Sequence, residues 1–110
     1  MSIVVHLYYT GAGGAARAFA REMEESGTAE KIRAEAGNER YAYFQSLDDP
    51  ETVLLIDAWS DQAALDRHHA SPMMEDIIRL RDRYALHMRA ERYVTDAGGI
   101  PASDEKFIIK

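Results

Sequence analysis

Hydrophobic positions fall into two rhythms along this chain. Residues 2–10 are rich in β-branched and aromatic side chains and stop at Gly11-Ala-Gly-Gly14, which predicts a strand and then a turn. After Gly14 the spacing lengthens, and Ala15, Phe19 and Met23 recur every fourth position as the buried face of a helix. Its phase breaks at Ser26-Gly27-Thr28; a second stripe, Ala29, Ile32 and Ala36, runs on to a stop at Gly37, so this helix should be kinked or split. Residues 39–46 and 52–60 read as two strands joined by Leu47-Asp-Asp-Pro-Glu51, a sequence suited to a reversal. Ser60 or Asp61 can cap a short helix over 61–70, and Ser71-Pro72 restarts a helix that carries Ile77, Ile78 and Leu80. A last strand, 86–95, leads into the flexible joint Asp96-Ala-Gly-Gly-Ile-Pro101 and an apolar ending, Phe107, Ile108 and Ile109.

The order β-α-β-β-α-β predicts an α+β, ferredoxin-like domain over residues 1–95, with both helices on one face of a four-stranded antiparallel sheet. Residues 96–110 are expected to form an arm that packs on the same or a partner subunit. Because strand side chains alternate, each strand divides into two rows. The more apolar row takes Ile3, Val5, Leu7, Ala42, Phe44, Leu54, Ile56, Ala58, Met88, Ala90 and Val94, and is assigned to the helices. The other row mixes rings with ionisable groups: His6, Tyr8, Tyr41, Tyr43, Gln45, Leu55, Asp57, Trp59, His87, Arg89, Glu91 and Tyr93. Such a row is too apolar to stay wet, so the same face of a second copy should cover it, enclosing a cavity between sheet and partner.

With 110 residues there is room for one core, and 46% hydrophobic with 29% charged residues argues against disorder. A net charge of -6 speaks against nucleic acid as a partner. The absence of cysteine removes disulfides, thiolate metal sites and thiol nucleophiles. The first ten residues have neither a basic start nor a run long enough for a leader or a membrane span, so a cytoplasmic address is expected and no membrane partner. Gly11-Ala-Gly-Gly-Ala-Ala16 fits a dinucleotide fingerprint formally, yet a hairpin where that motif needs a parallel sheet makes it a false lead.

Arg40-Tyr-Ala-Tyr-Phe-Gln-Ser-Leu-Asp-Asp-Pro50 and the pattern Asp57, Trp59, Ala64-Leu65, His68 and Ser71-Pro72 resemble the antibiotic biosynthesis monooxygenase family, including its quinol-monooxygenase-like members. The resemblance spans roughly residues 3–94 and implies a dimeric α+β barrel. It further implies oxygenation of a small aromatic quinol or phenol with no metal, flavin or haem. Met73 stands where the family often has a further histidine, and no asparagine occurs in the first strand, as the haem-degrading branch would require. A non-catalytic dimer binding an aromatic metabolite is the alternative reading, and haem handling a lesser one.

The candidate bases are His68, three residues after Leu65 and able to face inward, and Asp57, whose carboxyl if buried must be paired or protonated. An ion pair with Arg89 is the structural alternative for Asp57. Trp59, Tyr8, His6, Tyr43, His87 and Arg89 are the candidate substrate-binding residues. A metal held by His6, His87 and Asp57 is conceivable only if the fold gathers them, and none is assigned.

Overall fold

The computed structural model describes residues 1–109; the last position of the expected arm, 110, lies outside them. Four strands, β1 (Ile3–Thr10), β2 (Asn38–Gln45), β3 (Thr52–Trp59) and β4 (His87–Val94), form one sheet in the order β2-β3-β1-β4, antiparallel at every pair. The helix after β1 is split as its broken phase predicts, into α1 (Ala15–Glu25) and α2 (Thr28–Arg33), with Gly27 at φ 82 between them. Between β3 and β4 lie α3 (Gln62–His69) and α4 (Met73–Arg83). Asp61 caps α3 by accepting the Ala64 amide at 2.8 Å, and Pro72 precedes α4. The glycine-rich run becomes a single tight turn, Ala12–Gly14, leading into α1 beside a sheet with no parallel pair.

Phe19, Met23, Ile32, Leu65, Ile77 and Leu80 carry the helical side of the core. Ala36 and Ile78, expected on apolar stripes, are exposed. Gly37 locks the end of this layer. Its φ is +84, and a Cβ there would sit 2.5 Å from Ala64 Cβ and 2.8 Å from Ser60 Oγ. The close approach lets the Gly37 carbonyl accept the Ser60 amide at 2.8 Å, tying the chain after α2 to the start of α3.

The register corrects the assignment of the two rows. Residues directly opposite in an antiparallel pair share a face. Val5 faces Asp57, Leu7 faces Leu55, and Asp57 faces Tyr41. Hence Tyr41, Tyr43, Leu55, Asp57 and Trp59 stand on the helix-covered face beside Val5 and Leu7. Ala42, Phe44, Leu54, Ile56 and Ala58 occupy the open face with His6, Tyr8, His87, Arg89, Glu91 and Tyr93. The helices therefore cover the polar row of β2 and β3, and the apolar row of those strands is the one left open.

Beyond β4 the arm leaves the body of the domain. It forms a short 3-10 turn over Ala102–Phe107, and Ile100, Phe107 and Ile109 are largely exposed. No helix among the described residues is long and apolar enough to cross a membrane.

Candidate active site

Asp57 is the center of the covered face. β3 delivers it beneath the helices, where its side chain is 4% exposed. A carboxylate there loses its hydration, and burial pushes its pKa from 3.8 up to about 6, against the opposing pull of the Trp59 hydrogen bond and the nearby His68. The Trp59 indole N–H donates to Asp57 Oδ1 at 2.5 Å. Two residues apart on one strand, the two side chains point the same way, so alternation itself creates this pair.

His68, near the end of α3, stacks on Trp59 with ring centroids 4.7 Å apart and an interplanar angle of 25°. Its Nδ1 lies 2.9 Å from Glu35 Oε1, in the segment after α2. A carboxylate oxygen accepts, so the ring N–H at Nδ1 donates to Glu35. Glu35, His68, Trp59 and Asp57 thus form one buried chain of contacts, built from the α2 exit, α3 and β3. Glu35 was not among the residues singled out in the sequence; an acid just before a helix-stopping glycine carries no local signal of a partner 33 positions away.

This chain borders a cavity of about 370 Å³ between the sheet and α3–α4. Val5, Leu7, Tyr9, Tyr41, Leu55 and Asp57 form its floor, Leu65, His68, Met74 and Ile77 its roof, and Gln62, His69, Arg81 and Arg92 stand among its remaining lining residues. An apolar chamber of this size with a few convergent polar groups is the usual form of a small-molecule site. Burial also pushes the Tyr9 phenol up to about 12 and the Tyr41 phenol well above its ordinary value, so both stay protonated at neutral pH.

The model of the antibiotic biosynthesis monooxygenase family matches residues 2–80. The chain belongs to that family. Among solved structures, a Pseudomonas aeruginosa protein is 28% identical to this family member, with a TM-score of 0.73 over 87% of this chain and 95% of that one. A conserved protein from Methanosarcina mazei Go1 is 21% identical, with a TM-score of 0.75 over 87% and 94%. SnoaB, a cofactor-independent oxygenase from Streptomyces nogalater, is 19% identical, with a TM-score of 0.70 over 86% and 93%. No curated protein matches the chain at a significant level.

In this monooxygenase-family chain the fold brings together His68, Asp57 and Trp59, and it separates them from most of the other candidates. Trp59 is fully buried behind His68 and is not among the cavity lining. Tyr43 is on the same face but lines a groove beside α1, where its hydroxyl donates to the Tyr41 hydroxyl at 3.4 Å. His6, Tyr8, His87 and Arg89 lie on the open face. There Arg89 pairs with Glu91 at 2.9 Å and sits 4.1 Å over the Tyr8 ring, so it is not the partner of Asp57. The same separation parts His6 and His87 from Asp57, and no group of three or more metal-ligating side chains is gathered among the described residues. A cavity stands within one subunit, between sheet and helices, because the row of β3 that carries Asp57 faces the helices.

Proposed function

We propose that this protein is a cofactor-independent monooxygenase that oxidises a small, electron-rich phenol or quinol with dioxygen, Asp57 serving as the base. One observation carries the reading: a buried carboxyl with its pKa raised to about 6 lines an apolar cavity and has no cationic ion-pair partner among the described residues. Such a group is ionised at neutral pH yet basic enough to accept a phenolic proton, the match that general-base catalysis requires. The family membership and the fold shared with SnoaB support the same chemistry.

Proton transfer to Asp57 leaves a phenolate, which gives one electron to dioxygen. The resulting phenoxyl radical and superoxide combine at a ring carbon to form a peroxide anion, which takes the proton back from Asp57 to become a hydroperoxide. Loss of water, carrying away the ring-carbon hydrogen, leaves a quinone: one oxygen atom stays in the product and the other departs in water. The protein supplies the base and a water-poor chamber. His68, pinned by Glu35, braces the indole that holds Asp57 and lines the same cavity.

The oxygenase works as a homodimer in the cytoplasm under this proposal. Leu54, Ile56, Ala42 and Phe44 form an apolar band on the open face, bordered by Arg40, Arg89 and His87, an arrangement of apolar center and charged rim that suits a two-fold interface. Two such sheets face to face would complete the barrel, and the exposed arm would lie on the partner.

Oxygen uptake with a panel of substituted hydroquinones tests the activity. Asp57→Asn should lower kcat/KM by about 10²–10⁴-fold with the oligomer intact. Full activity in that variant would remove Asp57 as the base. Failure of every quinol in the native protein would leave the non-catalytic binder.

A further inference from the structure

One cation stands level with the base and does not pair with it. Asp57 lies opposite Val5 and Val5 opposite Arg92, so the three share one level of the helix-covered face. A central antiparallel strand meets one neighbour in a wide pair and the other in a narrow one, which puts the Asp57 and Arg92 Cα atoms about 10 Å apart. An extended arginine and an aspartate can close that gap over a valine. Both residues line the cavity, yet Asp57 belongs to no ion pair among the described residues. What detains Arg92 is Gln62, in the first turn of α3. Its Oε1 accepts from Arg92 Nη2 at 2.6 Å, and its Nε2 donates to Asp66 Oδ1, one helical turn on, at 2.9 Å. The Asp66 carboxylate accepts, so it takes the amide N–H and leaves the amide oxygen to face β4.

We infer that Gln62 is a positioning residue: it parks Arg92 at the exposed edge of the cavity and so leaves the Asp57 carboxylate unpaired, free to take a substrate proton. The inference rests on the proposed role of Asp57 only for its consequence in turnover. A carboxylate in an apolar chamber attracts a guanidinium, but drawing Arg92 inward would strip its hydration. The two effects largely offset, so one charge-assisted hydrogen bond at the edge decides where the arginine sits. The other groups around Asp57 leave room for this. Tyr9 of β1 and Tyr41 of β2 stay protonated through burial. On the Asp57 carboxyl, burial acts most, opposed by the Trp59 hydrogen bond and by His68 of α3, with Glu35 reinforcing it. Arg81 of α4 bears on the Tyr9 phenol, and His69 stands beside His68. Glu91, also in the lining, is bonded by Arg89 and Tyr93 at 2.9 and 3.0 Å.

Carbon-13 NMR titration of the aspartate side-chain carboxyls, with Asp57 assigned by its loss in Asp57→Asn, tests the parking without requiring turnover. The native Asp57 midpoint should lie at about 6. Gln62→Ala, an exposed change to a good helix former, should lower it by about 1–3 pH units as Arg92 swings onto the carboxylate. Arg92→Ala alone should leave the native midpoint in place, and Gln62→Ala with Arg92→Ala should restore it. An unmoved midpoint in Gln62→Ala, a drop that persists in the double variant, or a rise in Arg92→Ala would overturn the parking. Oxygen uptake measured in parallel separates the two readings. The expected shifts in a native protein that consumes no oxygen with any quinol keep the parking and remove the oxygenase. Native uptake together with an unmoved midpoint in Gln62→Ala does the reverse.

Discussion

A single buried carboxyl links chemistry to stability. Asp57 has a folded-state pKa of about 6 against 3.8, so the folded chain holds this proton more tightly than the unfolded one. Its favourable contribution is fully present below about pH 4 and is lost as the pH rises through about 6, a difference of about 3 kcal/mol. Asp57→Asn should therefore raise the melting temperature by several degrees at pH 8 and change it little at pH 4, while abolishing most turnover. Thermal melts at both pH values check this, and an equal change at both would deny the shift. Activity of the native protein should climb with pH to a plateau above about 6. Trp59→Phe removes the one hydrogen bond that favours the carboxylate, so the midpoint of that climb should move upward. A midpoint that stayed in place or fell would mean that the indole does not tune the base.

Secondary elements hold this residue in place through one glycine. Gly37 lets the chain leaving α2 pass against Ala64 at the start of α3, which sets Glu35 within 2.9 Å of His68. Gly37→Ala meets both a positive φ and a Cβ contact of 2.5 Å with Ala64. The conformational part alone is worth about 1–2 kcal/mol, and the clash adds to it because backbone must shift. Urea unfolding should show a loss of more than about 2 kcal/mol. Stability unchanged within error would mean that the α2–α3 approach is slack and does not hold the Glu35–His68 contact.

For the molecule as a whole, the open sheet face is the proposed site of assembly. Ile56 lies on the inner strand β3, in the apolar band, and is half-buried in the single chain. Ile56→Glu would place a charge at the center of the proposed interface without touching the cavity on the other face. Light scattering should find the native protein at twice the 12.4 kDa chain mass and the variant at 12.4 kDa. A native monomer, or a dimer indifferent to the substitution, would exclude this face as the contact.

Local rhythm was enough to place the strands, the split helix and the ferredoxin-like order, and to narrow the α3 cap to Ser60 or Asp61, because each depends on residues within a few positions of one another. It was also enough to single out Asp57, Trp59 and His68. It could not phase one strand's rows against its neighbour's, since a shift of one residue exchanges the faces and both rows of β3 are apolar enough for a core. Only the pairing of Val5 with Asp57 and of Asp57 with Tyr41 settled that the ionisable row lies under the helices. The same pairing set Asp57 on the floor of the cavity between sheet and helices and sent His6, Tyr8, His87 and Arg89 to the opposite face, while the approach of Gly37 to Ala64 brought Glu35 to His68. Alternation is a property of one strand, whereas a face is a property of the sheet, and the second is fixed by hydrogen bonds between distant segments.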